Sequence, residues 1–169
     1  MLICCRSMAE IDFQKLMYIY REGNLENGRI KYPYLSEIVA TARAEDDFYD
    51  YLCDDFFLVK DSSYWIWDEE GKYRSALRLE PYEDGYLLEA LETDPDCRRK
   101  GYARKLILSV CNALPDTKIY SHVHKRNIAS LETHRSCGFQ ICKDFARYVN
   151  GTVSQNAFTM EFHKKDPEL

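Results

Sequence analysis

Apolar positions recur along this chain with two different periods, and the sharpest change of period falls between Leu87 and Leu114. Leu87-Leu88-Glu89-Ala90-Leu91 is a short apolar run that reads as a strand, with Glu89 on the face of Leu87 and Leu91 and Glu92 on the opposite face. Asp94-Pro95 opens a loop, because proline disfavours continuation of either regular element. Ala103, Leu106, Ile107, Val110, Cys111 and Leu114 then fall at i, i+3, i+4, i+7, i+8 and i+11, one stripe of 3.6-residue period that Pro115 ends. A helix with such a stripe lies on a core.

The remaining pattern predicts elements on either side. Leu2 to Cys5 reads as a first strand. Ser7-x-x-Glu10 has the form of a capping box opening a helix with Ile11, Leu16, Met17 and Tyr20 on its apolar face, and Gly23 with Glu26-Asn27-Gly28 breaks that pattern. A second helix from Ser36 should bury Ile38, Val39, Ala42, Tyr49, Leu52 and Phe56. Tyr64-Trp65-Ile66-Trp67 and Ser75-Ala76-Leu77-Arg78-Leu79 form a hairpin turning at Gly71, and the turn from Pro81 to Gly85 feeds the central strand. Lys118 to His124 is a strand. Asn127 caps a helix running through Ser136, Gly138 ends it and Phe139 folds back. Phe145 to Val149 and Ala157 to Phe162 read as a closing hairpin, with Phe158, Met160 and Phe162 on one face. No internal repeat or linker interrupts the pattern, so residues 1–169 read as a single mixed α/β domain.

Composition narrows the class. At 169 residues with 46% hydrophobic and 14% aromatic positions, the chain can bury a substantial core and is far from the composition of a disordered one. No apolar run approaches the ~20 residues that span a bilayer, and the opening Met1 to Cys5 lacks the apolar region of a signal peptide, so no membrane association and a cytoplasmic location are expected. Seven cysteines, an odd number without a C-x-x-C pair, suggest neither a disulfide framework nor a metal site. Asn150-Gly151-Thr152 is read as a turn between strands. A net charge of -5 argues against a nucleic-acid partner and suits a cationic one better. Six carboxylates from Glu45 to Asp55 are either a solvated helix face or a lip that attracts an amine.

Arg98-Arg99-Lys100-Gly101-Tyr102-Ala103 sits between the central strand and its helix. The first turn of a helix carries amide groups without intrahelical partners and a partial positive charge, so an anion can bind there. Glycine lets backbone approach closely, and the adjacent cations add attraction. A solvated basic turn is the alternative. The spacing Arg-x-x-Gly-x-Ala in this setting, with Asn127-x-Ala-Ser130-Leu131 and Gly138-Phe139 downstream, resembles the GNAT (GCN5-related) N-acetyltransferase family.

The resemblance implies a single-domain α/β GNAT fold with a mixed central sheet of about six or seven strands flanked by helices. It further implies acetyl-coenzyme A as acyl donor, an amine as acceptor, and direct attack through a ternary complex; a homodimer is compatible with it. Residues 98 to 104 (Arg98, Arg99, Lys100, Gly101, Tyr102, Ala103, Arg104) would hold the pyrophosphate, the backbone of Leu91, Glu92 and Thr93 the pantetheine arm, and Asn127 and Ser130 further parts of the donor. Glu89 and His122 are the candidate bases, since burial raises a carboxyl pKa and an ordinary histidine titrates near ~6.5. Seven residues after Asn127 the family usually has a tyrosine that protonates the leaving thiolate; this chain has His134, with Tyr148 or a water as substitutes. A GNAT-like module that binds acyl-coenzyme A without turnover is the alternative reading, and the acceptor stays open between a small polyamine, an antibiotic, an amino acid and a protein N-terminus.

Overall fold

In the computed structural model, which describes residues 1–164, the chain runs β1 (Leu2–Cys5), α1 (Phe13–Ile19), α2 (Arg21–Lys31), α3 (Glu37–Asp54), β2 (Ser63–Glu69), β3 (Lys72–Tyr82) and β4 (Gly85–Thr93). It continues through α4 (Tyr102–Ala113), β5 (Lys118–His124), α5 (Ile128–Cys137), β6 (Phe139–Lys143), β7 (Ala146–Arg147), β8 (Val153–Ser154) and β9 (Ala157–Phe162). Seven strands form one mixed sheet in the order β1-β2-β3-β4-β5-β9-β6, in which only β4 and β5 are parallel. β7 and β8 form a separate ribbon whose connection contains the Asn150-Gly151-Thr152 turn. Among the described residues no helix is long and apolar enough to cross a membrane, and all seven cysteines are free thiols.

The helix with the strongest sequence period behaves as expected. Leu106, Ile107, Val110 and Cys111 of α4 are buried on Leu77, Leu79 and Leu88 of the sheet, together with Leu131 of α5. Fully burying an aliphatic side chain contributes ~1.5–3 kcal/mol, so this stripe anchors the loop that precedes it. Phe158 and Phe162 pack on the same core, and Met160 lies within it. The opposite face of the sheet, with Tyr64 and Ile66 of β2, is covered by α1, α3 and the turn after α3 through Leu16, Ile19, Leu52 and Phe56.

Several expectations for the first sixty residues are corrected. The Ser7–Glu10 box closes on a single 3-10 turn, Met8–Glu10, and α1 is capped instead by Asp12, whose carboxylate accepts from the Lys15 amide at 3.1 Å. Gly23 and Gly28 lie inside α2 rather than breaking it. A Cβ at Gly28 would stand 2.6 Å from the Ala40 carbonyl oxygen, so this glycine serves a close crossing of α2 on α3. That crossing turns Ala40 and Ala44 of α3 inward with Leu52. Ile38 and Val39, expected to be buried, are 85% and 46% exposed, and Ala42 and Tyr49 also face solvent. Small residues permit the approach of two backbones, and this local need overrides the apolar stripe. The closing hairpin is corrected too: β9 pairs with β5 and with β6, a strand starting at Phe139, while Ala146–Arg147 pairs with β8.

The central strand carries an irregularity that the sequence does not announce. Arg78 faces Glu89 and Ala76 faces Glu92, so two steps on β3 correspond to three on β4, and Ala90 has φ +50°. This is a bulge of one extra residue. It reverses the alternation beyond it: Leu91 packs with Leu88 on the α4 side, and Glu92, opposite Ala76, lies on the face of Glu89 instead of the other one.

Candidate active site

Parallel pairing of β4 with β5 runs only from Gly85–Lys118 to Leu88–Ser121. Beyond that point β4 bulges and β5 pairs only with β9, so a gap opens between the two strands. The bulge is held from the α1 side, where the Tyr20 hydroxyl donates to the Ala90 carbonyl at 2.6 Å and the Tyr64 hydroxyl donates to Tyr20 at 2.7 Å. Burial pushes the Tyr20 pKa up, so this phenol keeps its proton. The gap is a cavity of about 320 Å³ bordered by Glu89, Ala90, Leu91, Ser121, His122 and His134.

At one side stands the cationic loop. Arg99 and Gly101 adopt positive φ, +62° and +82°, and α4 begins at Tyr102. A Cβ at Gly101 would meet nothing within 4 Å, so glycine is required here for its backbone angle and not for internal packing. Arg99, Lys100 and Arg104 are exposed beside the helix terminus. Arg98 is differently employed, bridging Glu22 of α2 at 2.7 Å and Glu92 of β4 at 3.3 Å, which ties the loop to α2 and β4. Tyr102 donates its hydroxyl to Glu69.

These residues fit a phosphate-bearing acyl donor. An uncapped helix start with exposed cations suits its pyrophosphate, and the β4 edge after Leu88, left without a neighbouring strand, suits an extended amide-bearing arm. Leu91 borders the gap, whereas the Glu92 carbonyl accepts from Ser75 Oγ at 2.9 Å and Thr93 is buried against β3. Ser130 lines the gap. Asn127 is exposed and accepts from the Ser130 amide at 3.1 Å, the expected cap.

The three predicted titrating residues are brought together around this gap. His134 is buried, with Nδ1 at 2.8 Å from the Ser130 carbonyl and Nε2 at 3.0 Å from Ser121 Oγ. A carbonyl only accepts, so Nδ1 carries the proton, and burial depresses the pKa below the ordinary histidine value. The neutral ring therefore faces Ser121 with a lone pair. His122 lies on the other face of β5, between the rings of Tyr82 and Tyr148 at centroid distances of 5.4 and 5.1 Å. Both of its ring nitrogens are buried without a partner, and burial, followed by the Lys143 charge, lowers its pKa. Such a ring is neutral and able to accept a proton.

Glu89 borders the gap and also a second cavity of about 440 Å³, which Leu87 and Tyr148 likewise share. One oxygen of Glu89 is buried without a partner, and the carboxylate lies 3.8 Å from Arg78. Arg78 itself stacks on Tyr51 and Phe56 at 4.9 and 5.4 Å. Glu80, two positions further along β3, opposite Leu87 and diagonal to Glu89, is a residue that sequence reasoning missed. Its pKa is pushed up to about 7, first by burial and then by its hydrogen bond to Glu89 and the charge of that carboxylate. The only signal was a glutamate two positions after an arginine on a strand, and its partner is set by the register of β3 on β4.

A parallel strand pair that opens before a cation-rich helix start places this fold among the acyltransferases. The chain belongs to the acetyltransferase (GNAT) family, whose profile matches residues 29–139. Among solved structures it is similar to the PaiA N-acetyltransferase from Thermoplasma acidophilum in complex with coenzyme A, at 13% identity over 97% of this chain and 99% of that one, with a TM-score of 0.62. It is also similar to the ribosomal-protein-S18-alanine N-acetyltransferase from Escherichia coli, at 17% identity over 96% and 93% of the chains and a TM-score of 0.59. A spermidine N-acetyltransferase SpeG chimera from Vibrio cholerae and hSSAT gives 17% identity over 95% and 94%, with a TM-score of 0.57. Identities this low speak for the fold alone. No curated protein matches in sequence.

Proposed function

We propose that this protein transfers an acetyl group from acetyl-coenzyme A to a primary amine by direct attack. The observation that carries the reading is the gap between β4 and β5, which shares Leu87, Glu89 and Tyr148 with the cavity beyond it and lies on the strand that leads into the cationic start of α4. Residues 99 to 104 hold the pyrophosphate, and the β4 backbone up to Leu91 holds the arm and polarises the thioester carbonyl. The amine nitrogen attacks that carbonyl carbon and gives its proton to Glu89 or His122, the C–S bond breaks, and the thiolate takes a proton. His134 is in position for this last transfer only when charged, a form that burial disfavours. Tyr148, which borders both cavities, is the other candidate source. The location fitting this reading is the cytoplasm.

The experiment is release of free thiol from acetyl-coenzyme A with a panel of amines, beside calorimetric binding of coenzyme A to the wild type and to Gly101→Val. A β-branched residue held at positive φ costs upwards of ~1–2 kcal/mol, so donor affinity should fall by about tenfold or more in a folded variant. Unchanged affinity removes the loop from the donor site. A second reading, a module that binds acyl-coenzyme A without turnover, draws on the engagement of both His134 nitrogens. Donor binding with no thiol release for any amine supports it.

A further inference from the structure

The cavity beyond Glu89 is built by the end of α3 and the turn after it, by β3 and β4, and by the connection of β7 to β8. Its walls are apolar, supplied by Tyr51, Phe56, Val59, Leu87, Tyr148 and Val149. Its charged lining is of one sign, Glu80 and Glu89 together on one side, and Asp55, with Asn150 as a neutral amide. No lysine, arginine or histidine lines it among the described residues. The Arg78 guanidinium, behind this lining, is held by the Tyr51 and Phe56 rings and by Glu89. Glu89 also borders the gap, so the carboxylate pair lies at the junction of the two cavities, where an attacking nitrogen must arrive.

We infer that the acceptor is a primary amine with an apolar body and no carboxylate beside the nitrogen, its ammonium received by Glu80 and Glu89 and its body packed against Phe56, Val59 and Val149. The inference rests on the reading above and names the substrate class for it. An arriving ammonium supplies the donor hydrogens that the unpartnered oxygen of Glu89 lacks. An α-carboxylate on the same carbon would stand against the negative charge of this carboxylate pair with no free cation to answer it. Amino acids are therefore poor acceptors, and arylalkyl or alkyl amines good ones. A volume of about 440 Å³ is in the range of small-molecule sites.

The test compares phenethylamine, phenylalaninamide and phenylalanine, which share a ring and differ in the group beside the nitrogen. Thiol release should favour phenethylamine over phenylalanine by at least about tenfold in kcat/KM, with phenylalaninamide, whose carboxamide carries no charge, close to phenethylamine. In Glu80→Gln the KM for phenethylamine should rise about tenfold and the discrimination against phenylalanine should shrink, while calorimetric coenzyme A affinity stays at the wild-type value; Glu80→Asp should recover part of the loss. Equal use of phenylalanine and phenylalaninamide, or a Glu80→Gln variant with unchanged discrimination, overturns the inference. Turnover confined to peptide N-termini overturns it too and leaves the transferase reading intact. Calorimetric binding of phenethylamine that depends on Glu80, without thiol release for any amine, upholds the inference and sinks the transferase reading.

Discussion

The face of the sheet beneath α4 and α5 is packed with aliphatic side chains, Leu77, Leu79, Leu88, Leu106, Ile107 and Val110. The other face sets Tyr20, Tyr51, Tyr64, Arg78, Glu80 and Glu89 against one another through hydrogen bonds, cation–π contacts and an ion pair. The difference follows from what each side is proposed to hold. A donor with a constant pyrophosphate and amide arm can be met by backbone, and backbone needs only a rigid apolar bed. An acceptor defined by one nitrogen and its surroundings must be met by side chains, and these hold their geometry by contacts with one another.

Changes at the junction should have the largest effect. Glu89→Gln should lower kcat by about 10²–10⁴-fold if Glu89 is the base, with coenzyme A affinity retained; a loss of that size in His122→Gln with Glu89→Gln near wild type assigns the proton to the histidine. Next comes Gly28→Val. Its side chain would collide with the Ala40 backbone and part α2 from α3, so chemical denaturation should show a loss of about 1–3 kcal/mol. Acceptor KM should rise while donor affinity holds, and an equal loss of both would mean that the two faces are not separable. Asn127→Ala on the donor side should cost about 1 kcal/mol as a lost helix cap; a rise in donor KM beyond this gives Asn127 a place on the donor.

The smallest effect is a difference in the sign of pH dependence. Glu80 has a raised pKa, so the native state holds a proton that the unfolded chain has released, and the associated stability is lost as pH rises from about 4.5 through about 7. Glu80→Gln should thus gain in Tm relative to wild type between pH 5 and pH 8. His134 has a depressed pKa, so the unfolded chain takes up the extra proton and native stability falls as pH drops below about 6.5. His134→Gln should gain relative to wild type on acidification. Parallel Tm profiles for either variant and wild type would mean that the group titrates alike in both states.

The donor side was legible because its signals are local. The α4 stripe, the Pro95 and Pro115 stops, the Asn127 cap and Gly138 at φ +109° all act within a few residues of themselves. The acceptor side was not. Gly28 looks like a breaker until Ala40 of another helix is laid against it, Ile38 and Val39 obey a stripe that the α2 crossing overrules, and Glu80 gains its pKa from a residue nine positions away across a strand register. His122 and His134 were found, but only packing reveals that one lacks partners and the other has them on both nitrogens. Ala90 gives no sign in the sequence, since alanine has no preference for φ +50°.

That alanine has a consequence for how such a site is inherited. The span from Glu89 to Glu92 on β4 matches the span from Arg78 to Ala76 on β3 with one residue to spare, so the gap where the donor is proposed to lie exists because the strand is one codon longer than its neighbour. Substitution can tune this opening, but an in-frame deletion of three nucleotides at Ala90 should return β4 to regular pairing with β3 and close the opening, while Leu91 and Glu92 keep their present sides. Comparison of two such genes without allowance for that single codon would pair every later position of the strand with a residue facing the wrong way.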